Sequence, residues 1–268
     1  MPDNAPIGVF DSGIGGLTVA REIMRQIPNE TIIYFGDTAR VPYGSKSKET
    51  IITYSRQIMD FFMTKQVKAV VIACNTASAF ALETLQREYD VPMLGVVKPG
   101  AMVAAQTSKN HRIGVIGTEG TINSGIYHQY LSETNPEVKV FGKACPLFVS
   151  LVEEGWWDDP ITTEVANRYL NDLKLQDIDT LVLGCTHYPL IRKTVQKIMG
   201  EDVILVNPAY ETARCLKDVL VNNNLIKQTK ETTHRFFVSD GADKFKLFAN
   251  TILPCEVEET KDINIERC

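Results

Sequence analysis

Hydrophobic positions along the chain follow two alternating rhythms. Short runs rich in Val, Ile and Phe recur at 6–10 (PIGVF), 31–35 (TIIYF), 68–73 (KAVVIA) and 92–97 (PMLGVV). They recur again at 112–116 (RIGVI), 137–141 (EVKVF), 179–184 (DTLVLG) and 202–206 (DVILV). Between them lie longer stretches with apolar residues at helical spacing. Strands that are apolar throughout and separated by helices predict parallel sheets buried on both faces.

The second four runs repeat the first four in order. IGVFDSG answers to IGVIGTEG, ACNTA to GCTHY, and VVKPGA to LVNPAY, with offsets that stay between 106 and 111 residues. One α/β unit is therefore expected twice. About sixty residues follow the second unit, too few for a third domain. They hold a helical run (TARCLKDVLVNN), a strand (HRFFVS) and another helix (DKFKLFANTIL). The expectation is that they return to the first sheet and add a strand. Domain one would span 1–97 plus 209–268, and domain two 98–208. The junctions would be two Pro-started helices after Pro99 and Pro208.

Composition narrows the class. The chain has 268 residues, 44% apolar and 23% charged, with a net charge of −5. That is ordinary for a globular protein of two domains. The charge offers no surface for nucleic acid or anionic membrane. No run reaches the length of a membrane span, and MPDNAPIGVF has no secretory pattern. A reducing, cytoplasmic setting with free thiols is expected for Cys74, Cys145, Cys185, Cys215, Cys255 and Cys268. None forms a CxxC pair, and their spacing offers no zinc site.

Ligands of open parallel sheets bind beyond the carboxyl ends of the strands. Those ends carry Asp11-Ser12-Gly13, Gly36-Asp37 with VPYGS just beyond, Cys74-Asn75-Thr76, GTEGT at 117–121, and Cys185-Thr186-His187. If the units face each other about a pseudo-twofold axis, Cys74 and Cys185 meet across one interdomain cleft. Two opposed thiols suit proton transfer between the two faces of a carbon, one as thiolate base and the other as thiol acid. A thiol titrates at about 8.5, close enough to neutrality for both forms to be reached. A following helix N-terminus is expected to lower that value. Ser12, Asn75, Thr76 and Thr186 are neutral donors that can hold a carboxylate.

DSGIGGLTV, VPYGSKS, ACNTASA and GCTHYPL together closely resemble the glutamate racemases, within the cofactor-independent aspartate/glutamate racemase superfamily. The resemblance runs along essentially the whole chain. It implies two pseudo-symmetric α/β domains and interconversion of L- and D-glutamate, which supplies D-glutamate for peptidoglycan, with no cofactor and no metal. It implies Cys74 and Cys185 as the acid/base pair, Cys185 acting on L-glutamate and Cys74 on D-glutamate. Asp11 would assist Cys74; Glu153 and His187 would assist Cys185. Substrate contacts would fall on Asp11, Ser12, Tyr43, Gly44, Asn75, Thr76, Thr186 and His187. A small-molecule substrate is the implied partner, and a homodimer is allowed but not required.

Other readings stand beside this one. Gly13, Gly15 and Gly16 suggest a phosphate loop, but no Lys-Ser/Thr follows, and Thr18 stands where GxGxxG needs its third glycine. Glu154 matches Glu153 on chemistry alone; only the resemblance prefers Glu153. Tyr43 could act through its backbone N–H more than its ring. His111, His128 and His234 have no assigned role, and Trp156-Trp157 reads as surface or interface packing. Aspartate racemase is the near alternative. A thiol–disulfide oxidoreductase lacks its CxxC, and a two-lobed periplasmic-type binding protein lacks a signal peptide and does not need paired thiols.

Overall fold

The computed structural model describes residues 4–267; Cys268 lies outside them. The first unit runs β1 (Ile7–Asp11), α1 (Leu17–Gln26), β2 (Ile32–Gly36), α2 (Lys48–Thr64), β3 (Ala69–Ile72), α3 (Asn75–Glu88), β4 (Met93–Gly95) and α4 (Val97–Thr107). The second runs β5 (Arg112–Gly117), α5 (Glu119–Asn123), α6 (Ile126–Thr134), β6 (Lys139–Ala144), α7 (Leu147–Glu153), α8 (Pro160–Lys174), β7 (Thr180–Gly184), α9 (Arg192–Met199) and β8 (Ile204–Val206). The chain closes with α10 (Pro208–Asn222), β9 (Arg235–Val238), α11 (Ala242–Ile252) and β10 (Thr260–Asp262).

All strand pairs are parallel, and they form two sheets. One has the order β10-β9-β2-β1-β3-β4 and the other β6-β5-β7-β8. The segment β2-β1-β3-β4 has the same strand order as the second sheet, so the repeat read from the sequence is a repeat of topology. Each sheet is covered on both faces. Ile7, Val9 and Val71 pack toward α1, α10 and α11, while Phe10, Val70 and Ile72 pack toward α2 and α3. In the second sheet Ile116, Leu181 and Leu183 pack toward α7, α8 and α9, and Val115 and Val182 toward α4 and α6. Burying each such side chain contributes about 1.5–3 kcal/mol. This strand assignment supports domain boundaries at 1–97 plus 209–268 and 98–208, which we propose for the chain.

Four expectations are corrected. The run 92–97 is a strand only over Met93–Gly95, because the N–H of Val96 goes to Ser78 Oγ and not to a ladder. The helix expected after Pro99 starts earlier, at Val97, with Pro99 in its first turn, where a missing donor costs nothing. The run 137–141 shifts to Lys139–Ala144, set by pairing from Arg112↔Lys139 to Gly117↔Ala144. The C-terminal segment adds two strands, not one. β10 (TKD) lies at the sheet edge, largely exposed, with no buried face to leave an apolar pattern.

The two crossings between domains meet. α10 begins with Asn207 accepting from the N–H of Ala209, followed by Pro208 at the first helical position. A Cβ on Gly100 of α4 would stand 2.8 Å from Pro208 Cγ. Only glycine lets these helices approach so closely.

At the opposite end of the first sheet from the cleft, Lys68 and Glu30 are buried together, Nζ to Oε2 at 2.7 Å. Lys68 also donates to Leu225 O, and Glu30 Oε1 accepts from the N–H of Lys227. The pair ties the C-terminal segment to the first domain. Lys68→Met should destabilise the fold by about 3–5 kcal/mol, because it leaves a carboxylate buried without its cation. Lys68→Met combined with Glu30→Leu should recover most of that loss in urea unfolding. A single variant as stable as the parent would show that the pair does not hold the segment.

Candidate active site

β1 and β3 deliver Asp11, Ser12 and Cys74 to one edge of the first sheet; β5 and β7 deliver Thr118 and Cys185 to the facing edge of the second. Ser12, Tyr43, Gly44, Cys74, Asn75, Thr76, Thr118, Val149, Cys185, Thr186 and His187 line one small cavity between the domains. Both cysteines border it, one from each domain. Of the residues anticipated from the sequence, Asp11 lies beneath this wall and Glu153 borders an adjoining outer groove with Gly13, Val41 and Lys244.

Cys74 is the N-cap of α3. Its thiol donates to Ser12 Oγ at 3.8 Å. The helix start lowers its pKa as expected, through the Ala77 N–H, but larger effects outweigh it. Burial, followed by the negative charge of Asp11, pushes the thiol up to about 12, against a smaller opposing effect from the Ala77 N–H. Cys74 is therefore a thiol at neutral pH. Asp11 makes no direct hydrogen bond to Cys74 among the described residues. Its carboxylate accepts from the N–H of Gly13 at 3.1 Å and from Thr186 Oγ1 across the domain boundary at 3.3 Å. Burial raises its pKa, against the lowering effects of His187 and these hydrogen bonds.

Around Cys185 the arrangement differs. His187 Nδ1 lies 3.7 Å from the Cys185 sulfur, and its Nε2 lies 3.1 Å from Glu153 Oε1. Burial alone would depress the imidazole. Hydrogen bonds to Cys185 and Glu153, with the charges of Cys185 and Asp11, outweigh it and hold the pKa up at about 10. A cation thus stands beside the Cys185 sulfur, while a thiol stands on the other wall. The contact is made by Glu153, not Glu154. Glu153→Gln removes one of the groups that raise the His187 pKa. The imidazolium should then be lost at lower pH, and the alkaline limb of the kcat/KM profile should move toward neutrality. A limb at the parent position would detach Glu153 from this relay.

The sequence places GTEGT at a strand end but assigns no role to Thr118 and Thr121 within it. Thr76 Oγ1 lies 2.9 Å from Thr118 Oγ1 and 3.2 Å from Thr121 Oγ1, a hydroxyl cluster shared by both domains. The repeat held a clue to Thr118, since it occupies the place of Ser12 in the second unit. The Tyr43 ring is buried and its hydroxyl donates to Asp37, which also holds Arg40. The ring thus anchors the turn that brings Gly44 against Thr118; a Cβ on Gly44 would lie 2.4 Å from Thr118 Cβ.

The cysteines, histidines and tryptophans given no site role from the sequence sit outside the cavity. Cys145 is a buried side chain of the second core, its thiol pushed up to about 12 by burial. Cys215 and Cys255 are half-buried. His234 accepts from the N–H of Ile32, and His111 lies on the surface 3.7 Å from Glu137. Trp156 is exposed, whereas Trp157 packs edge-on against Phe248 of the other domain, centroids 5.6 Å apart. Among the described residues no group of three or more His, Cys, Asp or Glu side chains is placed to hold a metal ion, and no helix is long and apolar enough to cross a membrane.

Known proteins share this arrangement of sheets and cleft. The family model for Asp/Glu/hydantoin racemases matches residues 7–215. A glutamate racemase of Geobacter metallireducens is 48% identical over 267 residues, covering 99% of this chain and 98% of that protein. The crystal structure of a Bacillus anthracis glutamate racemase superposes with a TM-score of 0.94 at 40% identity, covering 97% of this chain and 98% of that one. A Francisella tularensis glutamate racemase, solved in complex with D-glutamate, superposes at 0.93 with 40% identity and covers 99% and 100%. With a matching model over most of its length and relatives that align nearly end to end, the chain belongs to the Asp/Glu/hydantoin racemase family.

Proposed function

We propose that the chain is a glutamate racemase that interconverts L- and D-glutamate by two-cysteine proton transfer at Cα, without a cofactor, and so supplies D-glutamate for peptidoglycan. The observation that carries this reading is the placement of Cys74 and Cys185 on one cavity from opposite domains. Its full-length relatives are glutamate racemases, which favours glutamate over aspartate.

In the L-to-D direction the Cys185 thiolate takes the Cα proton and becomes a thiol. The electron pair of the broken C–H bond stays on Cα and its adjoining carboxylate. Cys74 then gives its thiol proton to the opposite face and becomes a thiolate. The D-to-L direction runs the same steps in reverse. The His187 cation, held by Glu153, balances negative charge on the Cys185 sulfur, which supports Cys185 as the base toward L-glutamate. On the other wall, Ser12 touches the Cys74 sulfur and Asp11 acts on it through its charge. Asn75, Thr186 and the Thr76–Thr118–Thr121 hydroxyls are neutral donors for the two carboxylates, with Tyr43 and Gly44 closing the wall. Exclusion of water by the bound substrate would strengthen each of these contacts.

The proposed setting is the cytoplasm, with the free amino acid as partner; a homodimer is a candidate assembly that sedimentation would read. The test is incubation of the dialysed, chelator-treated protein with L-glutamate in D2O. D-glutamate carrying one deuterium at Cα is expected, with no added cofactor and with little turnover of L-aspartate. Inversion without solvent deuterium, or a requirement for pyridoxal phosphate, would overturn the mechanism.

A further inference from the structure

Tyr127 stands in the first turn of α6, in the second domain, and is buried. Its ring lies against the residue before Cys185: a Cβ on Gly184 would meet Tyr127 Cε2 at 3.1 Å. Its hydroxyl crosses to the first domain and lies 2.7 Å from Asn75 Oδ1. Asn75 opens α3 beside Cys74 and lines the cavity. One side chain thus touches the backbone behind one cysteine and the side chain beside the other.

A carboxamide has a donor end and an acceptor end, and only its neighbours decide which faces where. The buried phenol keeps its proton, since burial and the charge of Cys185 both raise its pKa. That proton has no other acceptor among the described residues, so it must meet the carbonyl oxygen of Asn75. The Asn75 NH2 is then turned away from Tyr127 and makes no protein hydrogen bond among the described residues. An amide turned the other way would leave the phenolic proton buried without a partner, which is costly.

The geometry points to Tyr127 as a positioning residue for substrate binding: it locks the Asn75 amide so that its NH2 group, not its oxygen, meets a substrate carboxylate. This rests on Asn75 being a substrate donor in the reading above. Without the hydroxyl the amide can turn over and present an oxygen to an anion. Because the two residues belong to different domains, the correct orientation also requires the domains to be closed. Carboxylate binding and closure are therefore coupled through a single hydrogen bond.

The experiment is a double-mutant cycle with Tyr127→Phe and Asn75→Ala, read as KM and kcat in both directions, with thermal melts to confirm folding. Asn75→Ala alone tests the underlying reading and should raise KM at least about tenfold. An unchanged KM there would remove Asn75 as a donor. Tyr127→Phe should raise KM about tenfold with kcat within about twofold, and should add nothing in the Asn75→Ala background. A parent-like KM for Tyr127→Phe, or the same loss with and without Asn75, would overturn the proposal. If Tyr127→Phe does not fold, Asn75→Asp replaces it. Aspartate still accepts from Tyr127 but turns an oxygen to the cavity, so KM should rise beyond that of Asn75→Ala. A smaller rise, or none, would overturn the proposal.

Discussion

Cys74→Ala and Cys185→Ala should each lose net racemisation in both directions, by at least about 10³-fold, since each removes one of two coupled proton transfers. The loss in kcat/KM must be the same from either enantiomer. L- and D-glutamate are equally stable in water, so the equilibrium constant is one, and no substitution can favour one direction at low substrate. The partial reactions need not obey that symmetry. Cys74→Ala keeps the Cys185–His187–Glu153 side and should wash deuterium into L-glutamate without inversion. Cys185→Ala should do the same for D-glutamate, more slowly, because its remaining thiol is pushed up to about 12 and must lose that proton before it can act as a base. Serine should rescue neither position, its hydroxyl being a far weaker acid than a thiol. Proton NMR in D2O reads the wash-in from each enantiomer, and circular dichroism reads inversion. A single variant that racemises at the parent rate would end the two-cysteine mechanism.

Gly15→Ala should be nearly as damaging, although it adds only a methyl group. A Cβ there would stand 2.3 Å from Thr186 Oγ1 and 2.5 Å from His187 Nδ1, both across the domain boundary. Neither neighbour is free to yield. Thr186 is bonded to Asp11 through its hydroxyl and to Thr18 through its carbonyl, and His187 is held between Cys185 and Glu153. Either the imidazole moves off the sulfur or the domains fail to close. A displacement of about 1 Å at reacting groups costs on the order of 10²-fold, so kcat/KM should fall by at least that factor. The domain cores do not involve this contact, so urea unfolding should change little. Parent-like kinetics for Gly15→Ala would mean that the His187 position is not needed for proton transfer.

The glycine explains why DSGIGG resembles a phosphate loop without being one. Its small residues serve close approach between two halves of one protein, not approach to a nucleotide. No local pattern distinguishes these uses, because the atoms that make Gly15 necessary lie more than 170 residues away in the chain.

Residue order alone carried the architecture. Apolar runs of strand length, repeated at a constant offset, predicted two parallel sheets of the same topology, because a strand buried on both faces must be apolar at every position. Placing ligand chemistry at strand ends brought Cys74, Asn75, Thr76, Cys185, Thr186 and His187 to one cleft. Edge elements were harder to read: β6 slid and β10 went unseen, since a half-exposed strand has no continuous apolar signature. The finer chemistry depended on how the domains dock. Packing of α7 against the end of β7 placed Glu153, not Glu154, against His187, and docking of the two domains brought Thr118 and Thr121 to Thr76. Docking also set the Tyr127 hydroxyl on Asn75 and buried Cys74 deeply enough to outweigh the effect of its helix start. Periodicity encodes which face of an element is buried, but hydrogen-bond partners and desolvation depend on atoms from distant segments, whose separation is defined only once the two domains pack together.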